Sequence, residues 1–301
     1  MSGTSSLSFA TSEIESEAAK LITQREDLEP SRDLDAFLVQ FCEDANMDDF
    51  AAFNAADSAR LAVDLFAFGM EAALEPLPRR RVRVRDCIGA DDRKFPRCLI
   101  EAVGPDPPFL VDSAIAAILA SGAEIRAVVH PVIHRDDGDI STIQIHTEHL
   151  DAGQRRKLKE ALEAAFADVS LATADFLAMR QAMKDAAVRV STTPVAKGRT
   201  ASDVEEAEEF LNWLVRDHFI FLGARDYRYA RGADGSFLAE EPDVVEGSGL
   251  GVLRDPHRHV LSRGSEPALL TPQIKAFLDE APPIIVSKTN MRSLVHRRVY
   301  A

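Results

Sequence analysis

The chain has 301 residues, 46% of them hydrophobic and 28% charged, which is enough for two hydrophobic cores. No run of about 18 apolar residues occurs, so a transmembrane helix is excluded, and the first residues lack the basic and apolar halves of a secretory leader. Cys42, Cys87 and Cys98 are odd in number and without metal-ligand spacing, so they read as free thiols of a reducing compartment, and a cytoplasmic protein is predicted.

The net charge of −14 is uneven, because residues 1–78 hold 16 acidic and four basic side chains while the remainder holds 33 acidic and 31 basic. Such a field disfavours attraction to nucleic acid. Phe37, Leu38 and Phe41, then Leu61, Leu65, Phe66 and Gly69, recur at helical intervals, so 1–78 reads as a separate segment of acidic helices ended by Pro76 and Pro78. The basic run Arg79 to Arg85 follows, with Val82 and Val84 alternating against arginines. That is a strand pattern with a charged face, expected to dock on the acidic segment before it.

Residues 98–103 are short and apolar enough for a buried strand, and the proline-rich loop Gly104-Pro105-Asp106-Pro107-Pro108 leads from it into a helix. Val111, Ile115, Ile118 and Leu119 form one helical stripe, and Gly122 ends it. Residues 124–134 and 140–147 read as strands separated by 135–139, where the Asp137-Gly138 pair signals a hairpin whose loop is left open between a two-residue turn and an odd-numbered one. A second helix carries Leu158, Leu162, Phe166 and Val169, and a last strand is expected near 169–172. The order is that of a ferredoxin-like βαββαβ domain over residues 79–190.

Residues 191–200 break the periodicity and predict a linker. Ser202 and Glu205 form a capping-box pair for a helix with Val204, Ala207, Leu211 and Leu214 on its apolar stripe. An aromatic strand is expected over 217–227, a partner strand at 236–238, a helix carrying Ile274, Phe277 and Leu278, and strands at 283–287 and 293–300. The fold class is thus α+β: an acidic helical segment, a ferredoxin-like domain, and a second α+β domain over 201–301 that reads as truncated at its C-terminal end.

Chemistry is sparse in this pattern. The glycines at 247, 249 and 251 have the wrong spacing for a dinucleotide fingerprint and precede a strand-like segment instead of opening a helix. His130, His134 and His146 share a hairpin, but a two-residue turn puts His146 on the opposite face, and no metal-ligand spacing or cysteine partner supports a metal site. Ser113 has no histidine or acid at a diagnostic spacing, so a nucleophile reading fails.

Five stretches together carry a family resemblance: Pro108 to Ser113, His130-Pro131-Val132, Glu209 to Gly223, Leu250 to Arg254, and Ser287 to Arg297. In this order and separation they resemble the large bacterial NAD-specific glutamate dehydrogenases. The resemblance implies the N-terminal region of such an enzyme, with ACT-like domains and without the catalytic domain. It implies no catalytic, cofactor-binding or metal-binding residue in this chain, with NAD the cofactor of the parent enzyme. It further implies partners in the rest of the polypeptide and in identical subunits, with no nucleic acid and no membrane.

ACT domains that bind amino acids use the loop after their first strand, so the resemblance points to Asp106, Phe109, Leu110, Asp112 and Ser113 as a possible effector loop. Phe109 stands where such domains have glycine, and Pro107 and Pro108 lack N–H donors for an anion. The alternative is that Phe109, Leu110 and Val111 are core residues of an assembly module. A stand-alone amino-acid-sensing or protein-interaction module is the second reading for the whole chain.

Overall fold

The computed structural model describes residues 3–45, 49–73, 80–136, 138–195, 200–218, 220–228, 233, 243–258, 262–263, 266–267, 287–289 and 298–300. The expected strand at 236–238, the helix around Ile274, most of the two strands beyond 283, the prolines at 76 and 78 and the centre of the expected linker lie outside these residues. The chain divides into two compact units, Met1–Phe166 and Ala167–Ala301.

The first unit opens with three helices, α1 (Gly3–Ile22), α2 (Arg32–Asp44) and α3 (Ala55–Ala73). Four main strands follow as β1 (Arg81–Ile88), β2 (Lys94–Pro105), β3 (Ile125–Val129) and β5 (Ile140–Glu148), with the two-residue β4 (Val132–Ile133) between the last two and α4 (Leu110–Ala120) between β2 and β3. The sheet order is β1-β2-β5-β3, and β4 also pairs with β5. Both β2 and β3 are antiparallel to β5, so β2, α4 and β3 form a split βαβ crossover around it. This is the α+β, ACT-like arrangement that the periodicity predicts, with Gly122 (φ +85°) directly after α4's C-cap.

The sheet's fourth position is filled differently from the expectation. Residues 169–172 are not a strand but part of α5 (Ala152–Ala174), because Leu158, Leu162, Ala165, Val169 and Ala172 continue one buried helical stripe with no breaker among them. The edge beside β2 is taken instead by β1, which precedes it in the chain and pairs antiparallel from Arg81↔Val103 to Arg85↔Leu99. The hairpin turn differs too. Pro131 has no N–H to give a ladder, so the expected strand 124–134 is split into β3 and β4, and Thr142 bonds the Pro131 carbonyl through both N (3.1 Å) and Oγ1 (2.6 Å). Ile133 pairs with Ile140, which makes the connection six residues long, with Asp137 outside the described residues.

One sheet face carries Leu99, Val103, Ala127, Val129, Ile133 and Ile140, and these share a single apolar cluster with Leu34, Phe37, Phe41, Leu61, Leu65 and Phe66 of the helices. The expected boundary at residue 78 therefore falls inside one core: the acidic helices are the layer that covers the sheet. Gly69 lets α3 approach, since a Cβ there would sit 2.8 Å from Ile133 Cδ1. The opposite face presents Ile100, Ala102, Ile143 and Ile145, all buried, toward the apolar stripes of α4 and α5.

Polar groups lie inside the helix-covered face. Glu101 is fully buried and accepts from Arg83 Nε (2.5 Å), Arg85 Nε (2.8 Å), Arg85 Nη2 (3.0 Å) and Gln144 Nε2 (2.9 Å). Arg83 and Arg85 also face α3, through the Asp64 carbonyl (3.1 Å) and the Asp64 carboxylate (3.7 Å). The basic strand does dock on the acidic helices, although its main partner is the neighbouring strand. Burial pushes the Glu101 carboxyl up, but Arg85 and Arg83 outweigh it and hold the carboxyl below its usual range. His146, on the same face, packs against the rings of Phe50 and Phe53, with centroids at 5.1 and 5.6 Å, and Nε2 bonds Gln144 Oε1 at 3.0 Å. Burial pushes it down to about 3, so it is neutral.

The second unit begins in the last turns of α5 and continues with α6 (Phe176–Thr192) and α7 (Ala201–Trp213), so the linker starts at residue 193, two residues later than expected. The α7 cap is Thr200 with Asp203, not Ser202 with Glu205: Asp203 N donates to Thr200 Oγ1 (3.2 Å) and the Asp203 carboxylate accepts from Thr200 N (2.7 Å). The expected strand 217–227 is broken, because the helix runs on as a π-turn through His218, leaving only β6 (Ile220–Phe221), β7 (Gly223–Ala224) and β8 (Tyr227–Arg228). β8 pairs with β9 (Asp243–Val244) and β7 with β10 (Leu250–Gly251). Met179, Met183, Val190, Leu211, Leu214 and Phe221 form the core. Gly251 has φ +58° and ψ −137°, and a Cβ there would collide with the Leu222 carbonyl oxygen.

These contacts set three expectations for stability. Glu101→Ala leaves Arg83 and Arg85 without their carboxylate at a closed interface and is expected to cost about 3–5 kcal/mol in denaturant unfolding. A loss below about 1 kcal/mol would show that the pair carries no weight in stability. His146 binds its proton more readily unfolded (6.5) than folded (about 3), so stability is full above pH 6.5 and falls as the pH drops toward 3. Unfolding midpoints for His146→Phe should lose the part of that slope lying between pH 6.5 and the carboxylate range, and an unchanged slope would assign it to other groups. In the second unit, Gly251→Ala is expected to cost about 1–3 kcal/mol from backbone strain alone, read as a lowered unfolding midpoint.

Candidate functional site

The predicted effector loop lies at the end of β2, where Pro105 closes the strand and Asp106, Pro107 and Pro108 carry the chain to α4. Phe109 is the N-cap residue, with φ +73° and ψ 12°, a left-handed conformation that costs an L-residue about 1–2 kcal/mol. The position demands what glycine gives freely, which is the residue ACT domains place there. Here a half-buried phenylalanine takes it. Phe109 offers no side-chain cap to the helix, and Pro107 and Pro108 have no N–H, so the backbone donors left are those of Asp106, Phe109 and the first helical turn.

The five predicted residues do not converge. Leu110 is 2% exposed and belongs to the core. Ser113 is fully buried, its N donates to the Phe109 carbonyl at 3.1 Å, and its Oγ finds no partner among the described residues. Asp112 is exposed on the first turn of α4, where a carboxylate suits the helix N-terminus. Asp106 lies near other polar groups.

Those groups are His130 and Arg80, and His130 in turn meets Ser141 and Asp44; the loop pattern suggests none of the four. His130 Nε2 lies 2.7 Å from Ser141 Oγ and 3.9 Å from Asp106 Oδ1, while its backbone N donates to Asp44 Oδ2 at 3.0 Å. Burial lowers the His130 pKa against the opposing pull of Asp106 and Asp44. Arg80 donates through Nη2 to the Pro105 carbonyl, and its guanidinium lies 5.2 Å from the centre of the Phe166 ring. Burial pushes it down to about 10, with Asp106 opposing, and its buried Nη1 has no acceptor among the described residues. The only sequence signals for this set were the basic run that ends in Arg85 and the isolated His130-Pro131 pair, both of which had bland readings.

The arrangement pairs a half-dry guanidinium with an exposed carboxylate at one loop. Such a pair can take the two ends of a zwitterion. Its one hydroxyl beside an imidazole, Ser141 Oγ at His130 Nε2, belongs to a fully buried serine. His130 and His146 have different neighbours, Asp106 and Ser141 for one and Phe50, Phe53 and Gln144 for the other. Among the described residues no three histidine, cysteine or acidic side chains gather as a metal site.

Comparison with known proteins agrees with the sheet and the helices on it. Residues 37–183, from α2 to α6, match the family described as Glutamate dehydrogenase, ACT1 domain. The chain is similar to NAD-specific glutamate dehydrogenases of Pseudomonas aeruginosa (26% identity over 67% of this chain and 13% of that protein) and Halomonas elongata (30% over 52% and 10%). The corresponding protein of Mycobacterium tuberculosis is 27% identical over 69% of this chain and 14% of its own length. The chain thus spans about one tenth to one seventh of the length of these curated relatives. Residues 37–183 thus match the ACT1 domain of glutamate dehydrogenases, and the chain is similar to one part of the NAD-specific enzymes.

Proposed function

We propose that this region regulates and helps assemble an NAD-dependent glutamate dehydrogenase, whose whole protein deaminates L-glutamate oxidatively to 2-oxoglutarate and ammonium in the cytoplasm. In this reading the region performs no chemical step. Its loop after β2 senses an α-amino acid, and its open sheet edges serve contacts with the rest of the polypeptide or with identical subunits.

The observation that carries the reading is the seat of Arg80 on the Pro105 carbonyl, within electrostatic reach of Asp106, at the loop that leads into α4. An α-carboxylate would take the unused Arg80 Nη1 donor and the helix N-terminus, and the α-ammonium would take Asp106. Phe109 sets the limit on ligand size, because its ring stands on the backbone position that would otherwise be open.

The test is the thermal unfolding midpoint of the 301-residue chain against a panel of amino acids and 2-oxoglutarate. A ligand of the folded state stabilises it by about 2.7 kcal/mol at a hundredfold excess over Kd. A dose-dependent rise is expected for an α-amino acid, with none in Asp106→Ala, whose exposed side chain leaves the core intact. Phe109→Gly relieves about 1–2 kcal/mol of backbone cost, offset by lost packing, and is expected to enlarge the ligand-induced rise. No rise for any amino acid in either the parent chain or Phe109→Gly would overturn amino-acid sensing at this loop.

A further inference from the structure

Helices α6 and α7 leave a cleft of about 990 Å³ between them, within the range of small-molecule sites. Three features set it apart from an ordinary helix groove. The first is aromatic: Phe210 and Trp213 are 48% and 37% exposed although both are large and apolar, and their rings stack at 6.1 Å with planes 20° apart. Both belong to one of the five stretches that resemble the glutamate dehydrogenases, so that motif presents aromatic surface outside the core it helps to build.

The second feature is electrostatic. Arg180 and Lys184 lie one helical turn apart on α6, and Arg216 faces the same cleft from the end of α7. Among the described residues Lys184 and Arg216 have no ion-pair partner, and the buried Arg180 Nε donates to nothing. An unpaired buried donor on a guanidinium marks a missing acceptor. The third feature is backbone: α7 passes into a π-turn at Leu214–His218, the segment that delivers Val215 and Arg216 to the cleft. Such turns are rare and gather at functional sites.

We propose that this cleft binds a nucleoside phosphate. The base lies against the Phe210–Trp213 surface, and the phosphates take Arg180, Lys184 and Arg216. Glu206 and Glu209, the acidic residues of the lining, accept from the hydroxyls of the sugar. This site is independent of the loop after β2 and of the amino-acid reading.

Trp213 is the single tryptophan of the chain, so its fluorescence reports on this cleft alone. The 301-residue chain is titrated with ATP, adenosine and inorganic tripolyphosphate, excited on the red edge of tryptophan absorption to avoid the base. The expected result is saturable quenching by ATP, with adenosine and tripolyphosphate each at least tenfold weaker. Lys184→Gln combined with Arg216→Gln is expected to weaken ATP at least tenfold. Both side chains are exposed, and an unchanged melting curve of the double variant shows that the fold is kept. Three outcomes overturn the proposal: no saturable change with ATP, tripolyphosphate as tight as ATP, or ATP binding that the double variant leaves untouched.

Discussion

The structure of the first unit hangs on one buried carboxylate. Glu101 has no exposed surface, and it is taken up by two arginines of the neighbouring strand and by Gln144 of the strand on its other side. A buried ion pair of this kind adds little net stability against an apolar alternative, but an unpaired member is costly. Its weight is therefore on register. Arg83 stands opposite Glu101 in the ladder, so a slip of β1 by one residue would send Arg83 and Arg85 to the other face and put Val82 and Val84 beside the carboxylate. The arginines in turn reach Asp64 on α3, and Arg25 at 2.7 Å and Arg60 at 3.1 Å hold the same carboxylate from the helical side. The register of β1 and the seat of α3 are one choice.

That choice decides where function can sit. With α1–α3 over one sheet face and α4 and α5 toward the other, neither face is open to a ligand. What remains is the end of the sheet, where β2 turns into α4, and the outer edges of β1 and β3. The acidic helices hold most of the net negative charge, and their contribution is structural as much as electrostatic. Asp57 illustrates it: buried at 1% exposure, it accepts from Ala90 N at 2.9 Å and from Arg93 at 3.3 Å, tying the β1–β2 turn to the start of α3.

Local periodicity made most of the helices and the apolar strands legible, since a stripe such as Leu158, Leu162, Phe166 and Val169 needs no partner to be read. The features that were missed are those settled by residues far apart in sequence. The edge position of β1 depends on pairing with a strand it precedes, and no local pattern separates that from a strand beyond α5. The split at Pro131 was readable from proline alone, and the Asp137-Gly138 pair marked the hairpin between β4 and β5 without fixing the length of its connection. At the site, Asp106 could be found from the loop and Phe109 from its departure from glycine. Arg80, Asp44 and Ser141 could not, because they reach Asp106 and His130 from a helix and two strands up to 86 residues away.

The stretches that carry the family resemblance in the second unit have a physical reading too. Asp175, at the start of α6, accepts from Gly251 N at 2.7 Å and from Arg254 at 2.5 and 2.6 Å, and Arg254 holds its carboxyl below the usual range. Gly251 pairs with Gly223, and Arg225 is buried with its guanidinium on the carbonyls of Leu253 (3.1 Å), Arg258 (2.8 Å) and Asp255 (2.5 Å). Phe221 to Arg225 and Leu250 to Arg254 are thus two halves of one lock, each glycine set by a backbone approach and each charge by a fixed acceptor. Phe210 and Trp213 have no such duty in the core. A stretch whose apolar residues face solvent while its neighbours are locked in place has surface to spare, and the binding proposed at the cleft beside α7 would use that surface and leave the lock undisturbed.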